Sequence, residues 1–123
     1  MIENVKVSEK ARLQLITIKK RTKIKNWNVI CRWAFLLSLR DKSTPAEENI
    51  ITDSSVEMTW KTFAGTHDKL YKSLLIYKLQ KDNIELTKDN IIKYFKIYLH
   101  RGISFLTSSN FKNTNDFLSI INE

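Results

Sequence analysis

The side chains able to act on a ligand are unevenly spread through these 123 residues. Lys19, Lys20, Arg21, Lys23 and Lys25 put five cations into seven positions. Such crowding points to capture of a polyanion, because clustered Lys and Arg displace condensed counterions from a phosphate backbone. Asn26 follows directly and can open a helix, whose first turn offers free N–H donors to a phosphate. Lys10 is a further candidate contact. Between residues 10 and 40 there are nine basic residues and no Asp or Glu, whereas the other 92 residues hold 12 basic and 13 acidic groups. The net charge of +8 is therefore the property of one segment. Two blander readings compete. Cations at a helix C-terminus gain ~0.3–1 kcal/mol each from the helix dipole, which explains two or three of them as a solvated face. An acidic protein partner is the other. Neither accounts as well for five cations without a counter-charge.

Catalytic chemistry is poorly supplied. His67 and His100 are the only histidines and Cys31 the only thiol. Cys31 sits among Ile30 and Trp33, as a small core hydrophobe does, whereas reactive thiols need exposed, electropositive surroundings. No HxxxH, CxxC, DxD or GxxxxGK[ST] spacing occurs, so metal and nucleotide sites lack their ligands. The expectation is a protein without enzymatic activity, cofactor or metal. Trp27, Trp33 and Trp60 could stack on bases, but the near-helical spacing of Trp27 and Trp33 beside Ile30 and Leu37 favours core burial. Arg32 and Arg12 are ambiguous between ion pairs in the fold and nucleic-acid contacts.

The elements that must carry these residues read as mostly α: a compact helical domain of about four helices with one or two short strands. With 2 Gly and 1 Pro there is little punctuation for a turn-rich β fold. Glu3-Asn4-Val5-Lys6-Val7 alternates as a short strand does. Ser8 can cap a helix running from Glu9 to about Thr22, with Ala11, Leu15 and Ile18 on its inner face and Leu13 and Ile16 widening it. Asn26 precedes a helix over Trp27–Leu39 that is apolar around most of its circumference, and a subunit interface is the expected cover. Residues 41–55 form the one linker-like stretch. Val56 to Lys61 alternates again and could be a second strand, pairing with Val5–Val7 or with another subunit's copy, and ended by Gly65. Asp68 to Lys81 carries Leu70, Leu74 and Tyr77, with Leu75 and Leu79, at helical spacing. Thr87 caps a last helix with Ile91, Phe95, Tyr98, Leu99, Ile103 and Leu106 on one face. The chain thus reads as one domain, with a basic strand-helix-helix part (4–40), the linker (41–55), a helical part (56–108) and a tail (109–123) in which Phe117, Leu118, Ile120 and Ile121 suggest a short amphipathic segment. The longest apolar run, Trp33–Leu37, is far short of the ~20 residues a spanning helix needs. Met1-Ile2-Glu3-Asn4 lacks the basic start of a secretory signal. A cytoplasmic protein without a membrane segment is expected.

Three stretches carry a resemblance. Arg21-Thr22-Lys23-Ile24-Lys25-Asn26-Trp27-Asn28-Val29-Ile30-Cys31-Arg32-Trp33-Ala34-Phe35, then Ser55-Val56-Glu57-Met58-Thr59-Trp60-Lys61, then Leu99-His100-Arg101-Gly102-Ile103 resemble DndE, the small E subunit of the Dnd DNA phosphorothioation system, across roughly residues 5–107. The resemblance implies a bacterial protein working beside other Dnd modification proteins, which supply the sulfur and nucleotide chemistry. It also implies binding to double-stranded DNA, nicked duplexes included, and a homo-oligomer, a tetramer. The family often shows Gly where this chain has Lys23, and a residue other than glycine disfavours a left-handed turn there.

The function expected is a non-catalytic DNA-binding accessory subunit that contacts phosphates through Lys19, Lys20, Arg21, Lys23 and Lys25, with Asn26 and Lys10. The alternatives are a scaffold docking an acidic protein and a ribbon-helix-helix regulator, since the N-terminal part is ribbon-helix-helix-like in its order. Against a regulator, the first strand offers only Lys6, Asn4 and Glu3 to base edges, where specific readout needs several Arg, Asn or Gln.

Overall fold

A computed structural model describes residues 2–108, so the suggested amphipathic tail segment lies outside the described residues. The chain order is β1 (Asn4–Lys6), α1 (Glu9–Thr22), α2 (Trp27–Arg40), β2 (Glu57–Thr59), α3 (Trp60–Ala64), a 3₁₀ turn (Gly65–His67), α4 (Asp68–Lys81) and α5 (Lys88–Ser108). The strand-helix-helix order at the N-terminus is present. Its ribbon is made within the chain: β1 and β2 run antiparallel, with Val5 opposite Met58 and Lys6 opposite Glu57.

Local chemistry sets most boundaries. The Ser8 hydroxyl accepts from the Ala11 N–H at 3.1 Å and starts α1. The Thr87 hydroxyl accepts from the Asn90 N–H at 3.1 Å at the head of α5. The second strand is shorter than the alternation suggests. Thr59 turns its hydroxyl to the Thr62 N–H at 3.1 Å, so a helix begins at Trp60. Gly65, at φ 61°, closes that helix rather than a strand. Arg32 of α2 clamps the same helix end, donating through Nη2 to the Thr62 carbonyl at 3.0 Å and through Nε to that of Phe63. Its ambiguity is thus resolved as a structural staple.

The core lies where α2, α3, α4 and α5 meet. Phe35, Phe63 and Phe95 pack as tilted or edge-on rings with centroids 5.1–5.7 Å apart, and Trp60 and Tyr71 extend the cluster. Such pairs add ~0.5–1.5 kcal/mol each beyond area burial. α5 crosses α2 at Gly102, where a Cβ would lie 1.8 Å from the Ala34 carbonyl oxygen. Only glycine permits that approach. The apolar circumference of α2 is largely covered inside one chain: Ile30, Cys31, Ala34 and Phe35 are buried, and Trp27, Trp33, Leu36, Leu37 and Leu39 are half-buried. One face of the helix is thus sealed within the chain, while the half-buried residues leave part of its apolar surface uncovered. Cys31 is wholly buried and its thiol pKa is pushed up to about 12 by desolvation, which leaves it inert.

The linker is an ordered strap. Arg101 of α5 donates to the Ser38 carbonyl at 2.6 Å and to the Ser43 carbonyl at 3.0 Å. Buried Lys78 pairs with Asp82 at 3.2 Å and donates to the Asp41 carbonyl at 2.9 Å. The Tyr98 hydroxyl donates to Asp82 at 2.7 Å. At the far end of the strap, Asp53 accepts from the Glu9 N–H at 3.2 Å. No helix among the described residues is long and apolar enough to cross a membrane.

Candidate nucleic-acid interface

The corner between α1 and α2 gathers most of the expected contacts. α1 ends on Lys23, which adopts a left-handed conformation (φ 62°, ψ 16°) and donates its N–H to the Lys19 carbonyl at 2.8 Å. This is the terminating geometry that glycine usually supplies. The turn is clasped by buried Thr22, whose hydroxyl donates to the Ile18 carbonyl at 2.8 Å and accepts from the Ile24 N–H at 3.3 Å. Lys20, Lys23, Lys25 and Asn26 are exposed around it. Lys19 is half-buried, its ammonium 4.9 Å from the centroid of the Trp27 ring, so it joins the two helices as well as adding charge. Arg21 reaches the other way and donates to the Thr107 carbonyl of α5 at 2.8 Å. Among the described residues no carboxylate pairs with Lys19, Lys20, Lys23 or Lys25; the ion pairs lie elsewhere, at Lys6–Glu57, Arg12–Glu9, Lys72–Asp68, Lys78–Asp82 and Lys93–Glu47.

Two fields converge at this corner. The negative end of α1 holds its cations in place, and the positive end of α2 faces solvent beside them. Asn26 caps α2 with its backbone carbonyl, which accepts from the Val29 N–H at 3.2 Å, and its side chain makes no capping bond. The first N–H groups of α2 thus remain directed outward, as helix starts leave them. Beside them opens a cleft of about 440 Å³, with Lys25, Asn26 and Trp27 on one wall and Met58 and Thr62 on the other. Arg12 also lines it, held by Glu9 at 2.5 Å, and Glu57 contributes one carboxylate, paired with Lys6 at 3.8 Å. The cleft walls from β2 and α3 were not legible in the sequence, since they depend on the ribbon folding back beside α2.

Lys10 is not part of this corner. It lies nine residues, about 14 Å of helix, before Lys19, and lines a separate groove with Gln14 and His100 beneath the strap. His100 there has both ring nitrogens engaged: Nε2 accepts from the Ser8 N–H at 3.0 Å and Nδ1 faces the Lys96 carbonyl at 2.7 Å. Burial holds its pKa below the usual imidazole value. Among the described residues no cluster of three or more His, Cys, Asp or Glu could hold a metal ion.

Comparison with known proteins follows the same lines. The family model described as DNA sulphur modification protein DndE matches residues 4–114. A crystal structure of DndE from Escherichia coli B7A, described as involved in DNA phosphorothioation modification, superposes with a TM-score of 0.70 at 20% identity, covering 86% of this chain and 98% of its own. A lysine-for-glycine double mutant of DndE, described as involved in DNA phosphorothioation, gives a TM-score of 0.69 at 18% identity, covering 89% of this chain and 100% of its own. No curated protein matches the chain.

Proposed function

The chain belongs to the DndE family, and from that premise we propose that it is a non-catalytic, DNA-binding accessory subunit of a cytoplasmic DNA phosphorothioation system, working beside other Dnd proteins. Contact is with the phosphate backbone of double-stranded DNA. The observation that carries this reading is the exposed lysine corner, in which Lys19, Lys20, Lys23 and Lys25 have no carboxylate partner among the described residues and stand next to the open end of α2. Phosphates fit both features at once, whereas base edges are served by neither. The cleft beside the corner gives the surface a second wall, and a nick lowers the cost of bending a duplex against it. Nicked duplex is accordingly the tighter ligand. Several copies on one duplex would multiply a modest single-copy affinity, and sedimentation with and without DNA measures that assembly.

The test is a salt titration of duplex binding. Capture by four lysines predicts a log K against log salt slope of about −4, at ~0.9 per neutralised phosphate, with little sequence preference. Lys20→Glu with Lys25→Glu changes two exposed residues outside the core and should flatten the slope by about two for every sequence alike. An unchanged slope in the folded double variant would sink the proposal. A preference of ~10³-fold for one sequence would instead indicate a regulator, and weak duplex binding with retained Dnd partners a scaffold.

A further inference from the structure

α4 carries two apolar stripes, and the fold uses only one. Tyr71, Leu75 and Leu79 face the core. The spacing marked residues of both stripes, but in the other one, Leu70, Leu74 and Tyr77 at i, i+4 and i+7, Leu70 is 53% and Tyr77 62% exposed. Leu74 and Tyr77 join Leu36 and Leu39 of α2 in a groove of about 260 Å³. Its rim is predominantly basic: Arg40, Lys42, Lys78 and Lys81 line it against one carboxylate, Asp41, with the Lys81 ammonium 5.8 Å from the Tyr77 ring centroid. The nearby carboxylates are already engaged. Asp82 is buried against Lys78. Asp41 accepts from the Ser43 N–H at 2.9 Å and from its hydroxyl at 2.5 Å, and these bonds hold its pKa below the ordinary carboxylate value.

An apolar floor inside a cationic rim states what should sit there. Leucine side chains offer a phosphate chain nothing to bond, so nucleic acid suits the lysine corner and not this groove. A second copy pairing symmetrically would set the same cations against one another, since such an interface joins a patch to itself. The chain's own residues 109–123 contain one Lys, one Asp and one Glu, a net charge of only −1 to set against Lys42 and Lys81. We propose that the α2–α4 groove docks an acidic amphipathic helix of another protein, seating apolar residues on Leu36, Leu39, Leu74 and Tyr77 and carboxylates on Lys42 and Lys81. Helix-in-groove recognition of this kind reads i, i+3, i+4 and i+7 anchors. It stands independently of the phosphate reading.

The probe is a labelled synthetic helix of about 16 residues with Leu at those anchor positions and Glu elsewhere. Its controls are a scramble of the same composition and a version with Lys in place of Glu. Fluorescence anisotropy against the full chain should show the acidic amphipathic helix binding at least about tenfold more tightly than either control, a gap of ~1.4 kcal/mol. Tyr77→Glu, and separately Lys42→Glu with Lys81→Glu, should cost about tenfold or more, while the Tyr77→Glu protein keeps its Tm and its duplex affinity. Equal binding of the three peptides, or no loss in either variant, overturns the proposal. So does a dimer that Tyr77→Glu dissolves in sedimentation, or a photocrosslinker at Tyr77 that captures residues 109–123 of the same chain.

Discussion

Lys23 shows how one residue can serve charge and geometry at odds. A side chain at φ 62° carries a steric cost of ~1–2 kcal/mol that glycine avoids, and the conformation persists because it ends α1 and opens the corner. Lys23→Gly is therefore expected to raise stability by about 1 kcal/mol in urea denaturation while weakening duplex binding and flattening its salt slope by about one phosphate's worth. Loss of both stability and affinity would show that the turn, not the charge, is what matters. The position was legible as a cation and as a departure from the family's glycine. Its backbone conformation was not, because lysine is a poor signal for a left-handed turn. Arg101 and Lys78 were illegible for a related reason: each binds backbone carbonyls, those of Ser43 and Asp41 in the strap and of Ser38 at the end of α2, which leave no trace in residue type.

Among the elements, α1, α4 and α5 have the limits that their caps and periodicity suggested. The inner face of α5 was read correctly, since Ile91, Phe95, Tyr98, Leu99, Ile103 and Leu106 are buried. On α1 Ala11, Leu15 and Ile18 are buried as expected, but Leu13, expected to widen that face, is 53% exposed. The inner face of α4 was left open. Two leucine stripes stand side by side on it, and spacing alone cannot choose between them; the choice follows from the aromatic cluster of Phe35, Phe63 and Tyr71. α3 was hidden because a threonine cap interrupts an alternating pattern. The junction of β1 with α1 rests on α5, through the Ser8 N–H bond to neutral His100. Burial lowers the His100 pKa, with Glu48 and Lys96 opposing one another nearby. A folded state that prefers the neutral ring has its full stability above the unfolded histidine pKa of ~6.5 and loses it as pH falls below that value. Urea midpoints should accordingly drop between about pH 7 and about pH 5, and His100→Gln, which retains an acceptor but no titration, should flatten that part of the curve. A wild-type curve as flat as the variant's would refute the link.

At the scale of the whole molecule, charge and apolarity occupy opposite ends of one helix. The lysine corner lies at the start of α2 and the groove at its finish, 14 residues or about 21 Å apart. Duplex and acidic helix are therefore expected to bind together: adding saturating duplex should leave the peptide affinity within about twofold in low salt, and a ternary complex should sediment as one species. Mutual exclusion would place both ligands on a single surface. The excess charge of residues 10–40 was plain from the sequence. The separation of the two faces was not, because it needed the length of α2 and the unused side of α4 together.

The contact of Gly102 with the Ala34 carbonyl has a mechanical meaning. It falls midway along α2, backbone against backbone, with no compliant side chain between to absorb a slip or a roll. The helix is pinned there like a shaft in a bearing, its azimuth set. On the proposed reading, the two ends of the helix would then hold their ligands at a fixed spacing, much as a carriage holds a tool above a workpiece.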